Sequence, residues 1–175
     1  MSNFSFKLKF GVAIIIFVLL LSACSSNRSA TLAQSSSSTV VLPNKSESVS
    51  KITLAYETLF DLGNPSILPK VDVVQNGQQL EASMKEAFDS SLSKAASSAK
   101  VVSVSLEAKQ ACLIADENYP CAKVTYNLLT PAGTPIFTTP STGYAIYLND
   151  KWVVAKNTIC SLLTLANSNK VPSGC

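Results

Sequence analysis

Apolar positions along the chain change their spacing twice, and each change marks a different kind of structure. Residues Phe10 to Leu21 form an unbroken apolar run behind Lys7 and Lys9. Further on, Val49, Ile52, Tyr56 and Leu59 recur at helical spacing, predicting an amphipathic helix capped by Ser48 or Ser50 and ended by Gly63 and Pro65. Ser66 to Gln75 predicts a second, short helix stopped by Asn76-Gly77, although Val71-Asp-Val-Val also reads as a strand. Leu80, Met84, Phe88 and Leu92 mark a third helix. After Lys100 the period falls to two. Val102, Val104 and Leu106 alternate with Ser103 and Ser105, predicting a strand with one buried face, and residues 122–129 predict a second. Pro131-Ala-Gly-Thr reads as a turn and Ile136-Phe137 as a short edge piece. Tyr144 to Leu148, then Asn149-Asp150, then Lys151 to Ala155 reads as a hairpin whose turn residues tolerate positive φ. Asn157 or Thr158 caps a last helix carrying Ile159, Leu162, Leu163 and Leu165. Helices first and antiparallel strands afterwards predict an α+β domain of about four strands with a C-terminal helix.

The first apolar run is too short to be a permanent membrane span. Twelve helical residues rise about 18 Å, against a hydrocarbon core of about 30 Å. With its lysines and the small residues that follow, the run has the three-part layout of an export signal. Leu21-Ser-Ala-Cys24 resembles the lipobox of bacterial lipoproteins, which implies cleavage before Cys24 and acylation of its thiol and amine; two or more acyl chains anchor a protein stably. The expected organisation is a signal over 1–23, a tether over 24–48 and one domain over 49–175. Ten serines among residues 25–50 make that segment too polar to bury itself, so a flexible tether is expected.

Charge changes the picture only by subtraction. The chain carries 14 basic and 11 acidic residues, and removal of Lys7 and Lys9 leaves twelve against eleven. Such a balance gives no footprint for nucleic acid. Four cysteines besides Cys24, an even set in an exported chain, predict disulfides. Three connectivities exist; the favoured one joins Cys112 to Cys121 around a polar loop and Cys160 to Cys175 around the C-terminal tail. No metal is expected, because the chain lacks histidine and any Cys-x-x-Cys pair.

Ile52 to Asp61, Lys70 to Gly77, Gly143-Tyr-Ala-Ile-Tyr147 and Trp152 to Cys160 together resemble the low-molecular-weight antigen Mtb12-like domain, over about residues 49–175. That resemblance implies exported actinobacterial proteins and an NTF2-like, cystatin-type fold, with helices packed on a curved antiparallel sheet. It implies no catalytic residues and no cofactor.

Catalytic patterns are sparse. Ser91-Leu-Ser-Lys94 has the Ser-x-x-Lys spacing of penicillin-recognising enzymes, but their other elements are missing and the spacing recurs at Ser48–Lys51 and Ser97–Lys100. Without histidine there is no imidazole triad, and six scattered glycines form no phosphate-cradling loop. Asp61 and Asp72 are the candidates for a general base in a cone-shaped pocket; Trp152, Tyr126, Tyr144 and Tyr147 are the candidates for lining one. The expectation is a non-enzymatic binding or structural module, extracytoplasmic and held to the cell membrane by lipid on Cys24, with an unknown protein or apolar ligand as partner. The alternatives are a carrier of an apolar ligand or lipid and a small enzyme using a pocket carboxylate.

Overall fold

The computed structural model describes residues 41–89, 94–107, 111–116 and 118–175. Helix α1 spans Lys45–Leu59, α2 Leu68–Asp72 and α3 Gly77–Phe88; strands β1 Ser98–Leu106, β2 Cys121–Leu129, β3 Ser141–Leu148 and β4 Lys151–Val154 follow; α4, Lys156–Ala166, closes the order. All neighbouring strands pair antiparallel in the order β1-β2-β3-β4, giving the expected α+β arrangement of helices against a curled sheet.

Helix α1 begins earlier than the apolar period suggests. Asn44, not Ser48 or Ser50, is the cap: its side-chain oxygen accepts from the Glu47 N–H at 2.9 Å, satisfying one of the four donors a helix start leaves open. Ser48 lies inside the helix, buried, with its hydroxyl donating to the Pro43 carbonyl at 3.2 Å. From there Ile52, Ala55, Tyr56 and Leu59 present one buried face to the sheet, as their spacing requires. Helix α2 is shorter than expected, and both readings of its end hold in part. The chain leaves helix at Asp72, then Val74 bridges Val154 in parallel, with Gln75 N–H donating to Val154 O at 2.9 Å and Val154 N–H to Val73 O at 2.8 Å. This covers the outer edge of β4. Asn76 takes left-handed φ (56°), and Gly77 is the first residue of α3 rather than a stop; a side chain at 77 would run into the Val71 carbonyl. Leu92 lies outside the described residues.

In β1 the expected buried face fails at two positions, Val102 and Leu106, the latter 37% exposed at the end of the strand. A register shift between Val101 and Ser103 is a β-bulge, so Val101 faces the helices and Val102 is turned out, 54% exposed. Val104 returns to the inner face opposite Val124. The β3–β4 turn is as read: Asn149 and Asp150 have φ of 50° and 60°.

Two apolar clusters result. The larger joins α1, α3 and α4 to the inner face of the sheet, through Ala99, Val124, Tyr126, Ala145, Trp152 and Val154 among others. The smaller lies on the opposite face, where a 3-10 turn at Ala111–Ile114 and the segment after it cover Ile146 and Val153. The C-terminal tail doubles back from α4 onto α3: the Ser83 hydroxyl donates to Ser173 O at 3.1 Å, and Gly174 (φ 88°) packs against Gln79 and Leu80.

Candidate functional site

Both disulfides form as favoured, Cys112–Cys121 and Cys160–Cys175. The first pins the covering loop to the start of β2; the second pins the tail to α4. Cys24 and Ser91 lie outside the described residues. The other two Ser-x-x-Lys pairs are taken up structurally. Lys51 pairs with Glu47 at 2.7 Å, and that hydrogen bond raises its pKa; Ser97 donates to the carbonyls of Leu129 and Thr130 at the start of a strand.

The four aromatic candidates do not meet in one pocket. Tyr126 is core: its ring lies 5.1 Å from Tyr56 and 5.4 Å from Phe60, and burial pushes its hydroxyl up to about 12. Tyr147 and Trp152 form a tilted pair at 5.4 Å, both buried on the inner face, with Trp152 Nε1 lacking a hydrogen-bond partner among the described residues. Tyr144 is on the other face, beside the disulfide-pinned loop. Asp61 and Asp72 are both exposed, and neither lines the apolar cavity of the domain.

That cavity sits elsewhere. It measures about 50 Å³ and lies between the end of α1, the end of α3, β2 and α4, walled by Phe60, Phe88, Leu128, Ile159, Leu162 and Leu163. Leu62, Phe88 and Ala96 also border a second space, an open cleft of about 600 Å³. Lys70, Lys85 and Lys94 line this cleft, with Asp89. Lys70 is only 3% exposed. Its ammonium donates to Asn64 O at 2.6 Å and Ser66 O at 3.0 Å and lies 5.9 Å from the Phe88 ring centre. Burial lowers its pKa, and the nearby Asp61 charge opposes that.

The fold that frames these spaces matches a known family over most of its length. Residues 45–170 fit the low molecular weight antigen MTB12, C-terminal domain. The chain belongs to that family. No curated protein and no solved structure matches the chain. The matched stretch begins at the first residue of α1 and stops within the tail, so it takes in every helix and strand described above.

Two side chains that organise the MTB12-type domain here went unread in the sequence. Gln75 is buried and bridges three elements: its Nε2 donates to Asp116 at 2.8 Å and its Oε1 accepts from the Lys156 N–H at 2.9 Å. It thereby caps α4, whose own N-cap is Ala155, in place of the expected Asn157 or Thr158. Nothing local marks a cap supplied from 81 positions away. Lys70 did leave a signal. Ile67, Lys70, Val71 and Val74 fall at helical spacing, so the lysine stands in an apolar slot.

Among the described residues no group of three or more His, Cys, Asp and Glu is placed to hold a metal, and no helix is long and apolar enough to cross a membrane.

Proposed function

We propose that this protein is an exported lipoprotein whose MTB12-type domain serves as a non-enzymatic binding module at the cell envelope, held to the membrane by acyl chains on Cys24. The observation that carries the reading is the pair of disulfides, which belong in an oxidising, extracytoplasmic compartment. Leu21-Ser-Ala-Cys24 supplies the attachment point upstream of the domain. Metabolic labelling with a fatty-acid analogue tests it: label and membrane fractionation are expected for the native chain, and loss of both for Cys24→Ala. An unlabelled chain found free in the medium would refute the anchor.

A restricted form of the carrier reading is supported by the apolar cavity. At about 50 Å³ it accommodates a short apolar group rather than a whole lipid, since drug-sized ligand pockets run to about 300 Å³ and above. Mass spectrometry of the extracted protein is expected to show no stoichiometric long-chain lipid beyond that attached to Cys24.

A further inference from the structure

The cleft beside α2 and α3 gathers the ammonium groups of Lys70, Lys85 and Lys94 on one concave surface, against the carboxylates of Asp89 on its lining and Asp61 near Lys70. Lys70 is the unusual member. Two neutral carbonyls hold its ammonium at the cleft wall, so they orient the cation without cancelling its charge. Lys85 and Lys94 are exposed on the lining of the cleft, each charge on a flexible four-carbon stem. Because Leu62, Phe88 and Ala96 border both spaces, the cationic cleft adjoins the apolar cavity directly.

We infer that cleft and cavity together bind a small amphipathic anion, with its carboxylate or phosphate on the lysines and a short alkyl group in the apolar cavity. The size limit follows from volume. Drug-sized ligand pockets run to about 300 Å³ and above, so a cavity of about 50 Å³ takes a short alkyl group and not a lipid tail. The head group, by contrast, has ample room in the cleft. This deepens the binding-module reading by naming a ligand class, and it rests on that reading.

The probes are n-butyl phosphate, inorganic phosphate, n-butanol, and vesicles of phosphatidylglycerol or of phosphatidylcholine, each titrated against the purified full chain with its disulfides intact. Calorimetry is expected to give butyl phosphate an affinity at least tenfold above inorganic phosphate, with no measurable binding of butanol. Lys85→Gln with Lys94→Gln is expected to weaken both phosphates about tenfold or more. Ala166→Leu, which fills the cavity from α4, is expected to abolish the advantage of the butyl group while leaving inorganic phosphate unchanged; circular dichroism checks that each variant is folded. The Lys70 ammonium proton signals are expected to shift on butyl phosphate addition. Equal affinities for the two phosphates would overturn the inference, as would indifference to the lysine substitutions. Binding to phosphatidylglycerol vesicles alone would assign the lysines to a membrane surface and overturn it as well. Failure here, with fatty-acid labelling at Cys24 and envelope fractionation intact, would remove the ligand class and leave the envelope reading standing.

Discussion

Gly143 is the position where a single methyl group tests the packing most sharply. It faces inward opposite Val124, under both α1 and α4. A Cβ there would lie 2.5 Å from the Tyr56 hydroxyl oxygen and 2.6 Å from Thr158 Cγ2. Both neighbours are held by polar contacts: Tyr56 donates to Tyr144 O at 3.1 Å, and Thr158 Oγ1 accepts from the Tyr144 N–H at 2.8 Å. Neither can yield without breaking a bond. Overpacking typically costs about 1–3 kcal/mol, and loss of the Tyr56 hydrogen bond adds about 1 kcal/mol. Gly143→Ala is therefore expected to destabilise by about 2–4 kcal/mol, lowering Tm by roughly 8–15 °C for a domain of this size. The mechanism also predicts a partial rescue. Tyr56→Phe alone should cost about 1 kcal/mol, because Tyr144 O keeps its bond from the Ala155 N–H at 2.9 Å. In the alanine background the same change removes the clashing oxygen, so its cost should vanish or reverse. Thr158→Ser, which deletes Cγ2 and keeps the hydroxyl, should act likewise. Urea denaturation followed by circular dichroism, with disulfides intact, measures the double-mutant cycle. Strict additivity, or a Gly143→Ala protein within about 0.5 kcal/mol of the parent, would refute the packing argument.

Gln75→Ala should remove about 2 kcal/mol and speed amide exchange at the start of α4 specifically; Gln75→Glu should do no better, because it sets a carboxylate against Asp116. Alkaline pH should destabilise the fold. Burial pushes Tyr126 up to about 12 and Tyr56 higher still, so both stay protonated in the folded chain while the unfolded chain ionises from about 10. The folded state then holds more protons, so stability present below pH ~10 falls as pH rises toward ~12, by up to about 1.4 kcal/mol per unit per tyrosine. Tyrosinate absorbance in brief pH jumps should show these two ionising only with unfolding. Replacing Cys160 and Cys175 together by serine should cost about 3 kcal/mol for a loop of this length and expose the Gln79–Met84 stretch of α3 to exchange, since Gly174 and Ser173 pack there.

What the sequence conveyed and what it withheld divide along the range of the interactions involved. The faces of α1, β2 and the β3–β4 hairpin follow from local period and turn chemistry, and they hold. The β1 face failed because a bulge adds one residue, and period two cannot register an insertion made by pairing with β2. The cap of α4 failed because the acceptor for its Lys156 N–H comes from another element. Part of the aromatic grouping conflicts with strand geometry. Tyr144 and Tyr147 are three apart on one strand, so they point to opposite faces, and only one of them was ever able to line the inner side. That Tyr126 and Trp152 fill the interior instead of bordering a space depends on how closely α1 approaches the sheet, which no single element encodes.

That closeness bears on what the domain can carry. Ile52, Tyr56, Leu59, Tyr126 and Ile159 are each 1% exposed or less, so the layer between helices and sheet is occupied. Enlarging the existing cavity from about 50 Å³ to the roughly 300 Å³ of a ligand pocket would open about 250 Å³. At about 24 cal/mol per Å³ that is near 6 kcal/mol. This is comparable to the whole stability of many domains, about 5–15 kcal/mol, and equals some four orders of magnitude in affinity. A long-chain ligand must overcome that penalty, whereas a butyl-sized group meets a cavity already present. The comparison is directly measurable: affinity along a series of alkyl phosphates should rise to about four carbons and then level or fall. A continued gain of about 0.8 kcal/mol per methylene out to long chains would show that the layer opens readily, and would restore the lipid-carrier reading.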